Sequence, residues 1–364
     1  MKDLSLFQSV SRLEMEKQPS IVVSMSSLLK EGYKMATLRI GGQIQESLTL
    51  LSVCLWTHVI LFLGPASSLL LLYTLLSSEY WWLTVLYLSW IICDKNSQQA
   101  GGRAPAIVSI FKGWTFWKYW SKYFSLKIVR TAKLDPTRNY LIGSHPHGIC
   151  SAGAFGAFAT DGADFSKLFP GLSSHLHTLS CNFWAPLHRD WILALGIINP
   201  SKRSIMENLS SSRGGKASVL VVGGAAEALL TERRSMKLVL RKRKGFIKLA
   251  IQSGAQLVPS FTFGETSLYR LVSLGHIPLL KTCQTVFKEL TGVAPCLFTG
   301  RFGLMPERRP LTVVVGSPIS VMRSSDPSPE YIDQVHVQYM EQLERLYETH
   351  KHKYGDKNIY IEFV

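Results

Sequence analysis

The stretch Tyr140-Leu141-Ile142-Gly143-Ser144-His145-Pro146-His147-Gly148 decides how this chain is read. It begins as a short apolar run and ends with two histidines around a proline, followed by a glycine. An apolar run that stops at Gly-Ser-His-Pro-His-Gly reads as a strand delivering side chains to the rim of a sheet. Pro146 fixes its own φ and biases His145 towards extended backbone. Gly148 permits a sharp turn or a close approach of a ligand to the backbone. Imidazole is the side chain suited to moving a proton near neutral pH, so this rigid corner is a candidate active site. The competing reading is a structural corner whose histidines bond carbonyl groups.

Further strands lie downstream. Ala217 to Val222 is a buried-strand pattern that runs into Gly223-Gly224-Ala225-Ala226-Glu227, and Gln256 to Phe263 and Leu311 to Val315 are two more. Helical stretches separate them, which predicts an α/β sheet with its site at the strand ends. A carboxylate straight after a strand and a Gly-Gly turn can meet the histidine corner if both strands share that sheet. The alternative is a glutamate that answers a helix dipole. Ala152 to Ala159 reads as a small-residue helix whose first N–H groups would face an anion. Arg241-Lys242-Arg243-Lys244 is a dense cationic run leading into a short helix from Phe246 to Gln252. Ser328-Pro329 is the N-cap and first position of a last helix, which ends in Lys351-His352-Lys353. His188-Arg189-Asp190 is similar to a kinase catalytic-loop tripeptide, but no Asp-Phe-Gly accompanies it.

Upstream the composition changes. Leu48 to Cys93 is almost wholly apolar, with Glu79 its only acidic or basic group apart from His58. A membrane-crossing helix needs about 20 apolar residues, and Leu48 to Leu76 exceeds that, with a kink expected at Gly64-Pro65. Ser77-Ser78-Glu79 reads as a turn, and Tyr80 to Cys93 is a shorter second arm that starts at Trp81-Trp82, residues suited to an interface. Lys30, Lys34 and Arg39 precede this stretch, and Lys95, Arg103, Lys112, Lys118 and Lys122 follow it. The positive-inside tendency then places both ends in the cytosol and predicts a membrane hairpin. Phe111 to Phe124 interleaves aromatics with lysines, which predicts an interfacial helix. Residues near the N-terminus show no apolar signal-peptide core.

The 364-residue chain carries a net charge of +15, which points to an anionic partner: nucleic acid, anionic headgroups or a phosphorylated substrate. Nucleic-acid binding predicts a basic stripe without a hydrophobic hairpin, so the apolar stretch argues against it. Six cysteines (Cys54, Cys93, Cys150, Cys181, Cys283, Cys296) include no C-x-x-C pair and suggest neither a disulfide framework nor a metal site.

His145-Pro146-His147-Gly148 resembles the signature of the type 2 diacylglycerol acyltransferase family, which also includes monoacylglycerol and wax-alcohol acyltransferases. Other blocks resemble it in the same order: Gly101-Gly102-Arg103, Phe169-Pro170-Gly171, Val222 to Glu227, Arg243-Lys244-Gly245-Phe246 and Phe263-Gly264-Glu265. Two departures stand out. Gly300-Arg301-Phe302 runs directly into Gly303-Leu304-Met305-Pro306, where members carry a short variable stretch. Arg233-Arg234 stands where a Pro-Gly turn is common.

The resemblance implies a membrane-embedded N-terminal hairpin followed by a glycerol-phosphate-acyltransferase-like α/β catalytic domain. The corresponding division is a cytosolic segment 1–47, a membrane hairpin 48–93 and a cytosol-facing acyltransferase domain 94–364. It implies a protein of the endoplasmic reticulum membrane, able to associate with lipid droplets, that transfers a fatty acyl group from acyl-CoA to a lipid hydroxyl. Diacylglycerol is the expected acceptor, giving triacylglycerol. Monoacylglycerol, a long-chain alcohol and retinol remain alternatives, as does a non-catalytic lipid-binding or scaffold relative. Its partners would be acyl-CoA, the neutral-lipid acceptor and membrane lipids, with homo-oligomerisation left open and no cofactor beyond the acyl-CoA co-substrate.

The resemblance places the active-site groups at His145, His147 and Glu227. Chemistry then suggests His147 as general base, with His145 the alternative, and Glu227 orienting the imidazole as the acid of a triad does. Backbone N–H groups after Gly148 are the candidate oxyanion donors. Arg241, Lys242, Arg243 and Lys244 are the candidate partners of the CoA phosphates. A separate route would use Cys150 as an acyl-accepting nucleophile.

Overall fold

A computed structural model describes residues 18–211, 213–272, 282, 286 and 296–364. Lys17, Cys283 and the side chain of Lys30 lie outside the described residues. The chain divides into two compact units, Met1–Leu50 and Leu51–Val364. The expected boundary at 93/94 is therefore not a division in packing.

Helix α1 (Gln18–His58) runs into a π turn, Val59–Leu63, and then α2 (Gly64–Ser77). The expected kink at Gly64-Pro65 appears as this π turn, because Pro65 offers no N–H to an α-helical ladder. The 40 residues Leu38–Ser77 are long and apolar enough to cross a membrane. The chain reverses at Ser78 to Tyr80 and continues as α3 (Trp81–Cys93), the shorter arm. Along α2 and α3, Leu69, Leu72, Leu76, Trp82, Leu86 and Trp90 are exposed, a pattern that water alone does not favour.

Phe111 to Phe124 differs from expectation. It spans the end of α4 (Pro105–Lys112) and all of α5 (Phe116–Tyr123), with Phe111 and Trp114 exposed and Trp117, Trp120, Tyr123 and Phe124 buried. The buried aromatics recur every three or four residues, so they share one face of the chain's helical turns, and that face packs inward. Trp120 meets Trp56 of α1 edge-on at 5.2 Å. Lys112 is also internal, bonding the Phe158 carbonyl at 3.1 Å and the Ser174 carbonyl at 2.5 Å.

The main sheet has six strands in the order β1-β9-β6-β2-β4-β3: β1 (Lys127–Arg130), β2 (Tyr140–His145), β3 (Ser173–Leu176), β4 (Lys216–Val221), β6 (Gln256–Phe263) and β9 (Thr312–Val315). The α/β expectation holds, and all four strands legible in the sequence lie in this one sheet. β2 is parallel to both neighbours, with Ser144 level with Val221 of β4 and Ser260 of β6. Every residue of β2 is buried, as befits a central parallel strand covered on both faces. β6 and β9 pair antiparallel.

Helix α6 (Ala152–Ala154) follows β2, α7 (His188–Ala194) follows β3, and α8 (Gly224–Ala228) follows β4. The short strand β5 (Met236–Leu238) and helix α9 (Gly245–Ser253) lead into β6. β7 (Arg270–Leu271) and β8 (Phe298–Thr299) form a small separate pair. Helix α10 (Pro329–Tyr354) opens at Ser328, whose hydroxyl accepts the Tyr331 N–H, and β10 (Ile361–Phe363) pairs with β5. One face of the sheet is closed by Phe246, Ile247 and Ile251 of α9 with Tyr339, Leu343 and Tyr347 of α10, packed against Leu257, Phe261 and Phe263. Burial of each such side chain contributes roughly 1.5–3 kcal/mol.

The abrupt junction at Gly300 closes as a tight hairpin. The Gly300 N–H bonds the Gly303 carbonyl at 2.8 Å, with Phe302 and Gly303 at positive φ.

Candidate active site

Beyond β2 the chain turns through His145-Pro146-His147-Gly148, and the two histidines separate. His145 is fully buried. Its Nε2 lies 3.1 Å from the Tyr339 hydroxyl, which donates to the Gly143 carbonyl at 3.2 Å. The hydroxyl proton is thereby committed, so His145 Nε2 must be the donor to the tyrosine oxygen. Gly143 is glycine for this reason: a Cβ there would sit 2.0 Å from Tyr339 Oη. Burial depresses the His145 pKa to about 3, so the ring is neutral. His145 braces α10 against β2; of the two histidines, His147 is the one that lines the cavity described below.

His147 Nδ1 is 3.0 Å from the Gly148 carbonyl. A carbonyl only accepts, so Nδ1 carries the proton and Nε2 keeps its lone pair. Burial lowers the pKa of this ring, with the Gly148 bond partly opposing it. This tautomer is the one a general base requires.

Glu227, on α8, is buried and reaches the same turn, but not as the acid of a triad. Its Oε1 accepts the backbone N–H of His147 at 2.6 Å, and its Oε2 accepts that of Val239 at 2.8 Å. It fixes the main chain that carries the imidazole, so the expectation that it orients the ring directly is corrected. The carboxylate folds back over the start of its own helix, where a Cβ on Gly223 would lie 2.0 Å from Oε2. Burial raises its pKa to about 7, and the two N–H bonds and Arg243 oppose that rise.

The other side of the turn is held by Glu265, whose place in Phe263-Gly264-Glu265 was visible in the sequence but whose role was not. Its two oxygens accept the N–H groups of Ala152 (2.8 Å) and Gly153 (2.7 Å). The start of the small-residue helix thus already holds an internal anion, and the expected external one has no place there. Candidate oxyanion donors narrow to the turn between Gly148 and Ser151. Gly148 has φ +61°, and a Cβ on it would lie 2.6 Å from Glu265 Cγ, so no other residue fits without strain.

The turn opens on a cavity of about 490 Å³, bounded by His147, Cys150, Phe155, His177, Trp191 and Ile192, and by Ile60 and Leu61 of the π turn. This volume falls in the range of roughly 300–1,000 Å³ usual for small-molecule sites. Its lining is mostly apolar, and it extends from the imidazole to the membrane-length helix. The π turn is anchored beside it. His188 bonds the carbonyl of Val59, and Ser67 Oγ donates to the Pro186 carbonyl at 2.6 Å. A π turn frees such a carbonyl for an outside donor.

Cys150 shares the cavity, but burial pushes its thiol up to about 12. A thiol so protonated is a poor nucleophile, which weighs against the acyl-cysteine route.

Arg241, Lys242 and Arg243 are exposed, while Lys244 pairs with Asp333 at 2.6 Å. The segment bearing Val239, which bonds Glu227, leads straight into this cluster. His188-Arg189-Asp190, set aside as a kinase motif, is structural. Arg189 bonds Asp94 at 2.8 Å and Asp190 at 3.3 Å, and Arg103 bonds both acids. The Gly101-Gly102-Arg103 block thereby joins the end of α3 to α7.

A mixed α/β sheet that presents a neutral imidazole at a strand end, facing an apolar cavity, is the framework of an enzyme acting on lipid-like substrates. The chain belongs to the diacylglycerol acyltransferase family, whose model matches residues 73–363. It is 39% identical over 322 residues to human diacylglycerol O-acyltransferase 2-like protein 6, covering 86% of this chain and 95% of that protein. Identity to human 2-acylglycerol O-acyltransferase 1 is 38% over 319 residues, covering 86% and 94%. Identity to human diacylglycerol O-acyltransferase 2 is 38% over 339 residues, covering 91% and 86%. Among solved structures, the 1-acyl-sn-glycerophosphate (LPA) acyltransferase PlsC from Thermotoga maritima aligns with 83% of this chain and 94% of its own, at TM-score 0.40 and 12% identity.

Proposed function

We propose that this protein is an acyl-CoA-dependent O-acyltransferase that esterifies the free hydroxyl of diacylglycerol to give triacylglycerol, with monoacylglycerol as the alternative acceptor. The observation that carries this reading is the His147 ring. Its Nδ1–H is committed to the Gly148 carbonyl, and the residue lines an apolar cavity that reaches Ile60 and Leu61. The names of its relatives, diacylglycerol and 2-acylglycerol O-acyltransferases, agree with it.

In this mechanism His147 Nε2 takes the acceptor's hydroxyl proton while the oxygen attacks the thioester carbonyl carbon. The tetrahedral oxyanion forms beside the turn after Gly148 and collapses with cleavage of the carbon–sulfur bond. The imidazolium returns its proton to the departing CoA thiolate. General-base assistance of this kind contributes about 10²–10⁴ in rate. Glu227 and Glu265 hold the turn rigid from either side, so the base and the amide donors stay in place through the reaction. Arg241, Lys242 and Arg243 receive the phosphates of CoA.

The same reading places α2 and α3 in the endoplasmic reticulum membrane, with both ends of the hairpin cytosolic, and allows association with lipid droplets. Acceptor and product then move between bilayer and cavity past the π turn.

The test uses microsomes from cells that lack neutral-lipid synthesis. Labelled oleoyl-CoA is offered with diacylglycerol, monoacylglycerol, hexadecanol or retinol, for wild type and His147→Ala. Label in diacylglycerol-derived product with wild type alone supports the proposal. Label in no product from correctly inserted protein moves the assignment to a non-catalytic lipid-binding protein.

A further inference from the structure

We infer that the loop 179–187 is the lip at which the cavity meets the bilayer: Trp184 and Leu187 enter the lipid, and the lipid acceptor passes along this loop into the cavity without crossing water. The identity of the passenger rests on the acyltransferase reading above; the contact with lipid does not.

The loop faces two ways. Leu179 and Asn182 line the cavity, as does His188 just after the loop. Leu179 is also exposed, which puts it at the mouth. Phe183 packs inward, while Trp184 is 70% exposed and Leu187 47%. Between Leu179 and Leu187 there is no acidic or basic side chain, so entry into lipid strips water from no charge. Tryptophan is a residue suited to the membrane–water boundary.

The main chain at the exposed end is also prepared for lipid. The Trp184 N–H donates to the Cys181 carbonyl at 3.0 Å, and the Leu187 N–H to the Tyr87 hydroxyl at 2.8 Å. The carbonyls of Ala185, Pro186 and Leu187 accept from the Arg189 N–H, the Ser67 hydroxyl and the Trp191 N–H. Proline has no N–H to satisfy. Backbone groups left without partners would bar a loop from the bilayer, and these have theirs.

The loop is fastened to both arms of the apolar hairpin. Ser67 of α2 holds Pro186, and a Cβ on Gly64 would lie 2.9 Å from Ala185 Cβ. Tyr87 of α3 holds Leu187, whose φ of +57° is costly for a leucine. Asp94 and the exposed Lys95 mark the end of α3, where Arg103 and Arg189 bond Asp94. Such a cluster of ions belongs at the headgroups. Tyr87 lies seven residues nearer the hairpin tip than Asp94, about 10 Å at 1.5 Å per residue. Apolar side chains of interfacial segments enter lipid to about 5–10 Å, so the bilayer that covers Leu86 and Trp90 of α3 reaches this loop.

The experiment uses the full-length protein in microsomes from cells that lack neutral-lipid synthesis. Trp184→p-benzoylphenylalanine is irradiated in membranes that carry labelled phospholipid. The expected result is label attached to the protein; a cross-link to protein alone, or none, overturns the inference. Kinetics then test the passage, with dioleoylglycerol held in the membrane and dihexanoylglycerol dispersed in water. Trp184→Ser should raise the apparent KM for dioleoylglycerol about fivefold, with kcat and the KM for oleoyl-CoA unchanged. Transfer to dihexanoylglycerol should not change, and Trp184→Phe should behave as wild type. Equal loss on both acceptors, or an unmoved KM in Trp184→Ser and in the double variant with Leu187→Ser, overturns the passage along the loop. No transfer by wild type to any acceptor overturns the acyltransferase reading instead, while the cross-link still decides whether the loop meets lipid.

Discussion

The backbone N–H of His147 donates to Glu227 Oε1 at 2.6 Å, across 80 residues of chain. Because the other carboxylate oxygen takes the Val239 N–H, Glu227 ties the end of β2 to the segment after β5. It sets the position of the His147 imidazole, the proposed base, through the main chain and leaves the ring's tautomer to the Gly148 carbonyl.

This arrangement predicts the effect of Glu227→Gln. An amide offers one acceptor oxygen and one NH₂ where two N–H donors point, so one donor loses its partner. An unsatisfied buried donor costs about 1–3 kcal/mol, and acyl transfer should fall about 10- to 100-fold. Wild-type activity in Glu227→Gln would show that a second accepting oxygen at this position is dispensable.

His145 and Tyr339 form a second long-range pair, at 3.1 Å. Tyr339→Phe and His145→Gln should each lower stability by about 1–2 kcal/mol. Their effects should be less than additive in the double variant, because each removes the same contact. Thermal unfolding of detergent-solubilised protein measures this, and strict additivity would mean that the two side chains act independently.

The pH dependence follows from the direction of the His147 shift. Burial lowers its pKa below 6.5, so the ring becomes protonated only below that value. The acid limb of the kcat profile should therefore be centred below pH 6.5. A limb centred at or above pH 7 would contradict a buried neutral base.

Arg189 is 1% exposed and faces Asp94 and Asp190. Arg189→Ala leaves two partly buried carboxylates short of a cation, and breaking such a pair costs about 3–5 kcal/mol. Asp94 follows α3 directly, so loosening of the hairpin should appear as increased protease cleavage near Ser97 and a lower Tm. Arg189→Met with unchanged Tm would show that the network contributes no net stability.

Local pattern made much of this molecule legible. The strands at 140, 217, 256 and 311 are apolar runs ended by glycine or proline, and the last helix begins at a Ser-Pro cap, so periodicity and turn chemistry suffice to locate them. The reversal near Ser78 is equally local. The aromatic stretch from Phe111 was only partly legible, because composition does not assign faces: Trp117 and Trp120 pack inward while Phe111 and Trp114 stay exposed. β1 and β3 are short, and β1 is only partly buried, so they carry little periodic signal.

The sequence by itself determined that two histidines stand at the end of a buried strand and that Glu227 follows another. Both facts depend on residues adjacent in the chain. The tertiary structure alone decided which histidine faces the cavity, because that choice is made by Tyr339, 194 residues away. It also decided that Glu227 holds a backbone and that Glu265 fills a helix start that looked ready for a ligand. Each of these outcomes depends on which donor meets which acceptor across the sheet, and hydrogen bonds between distant segments leave no periodic trace in the chain that makes them.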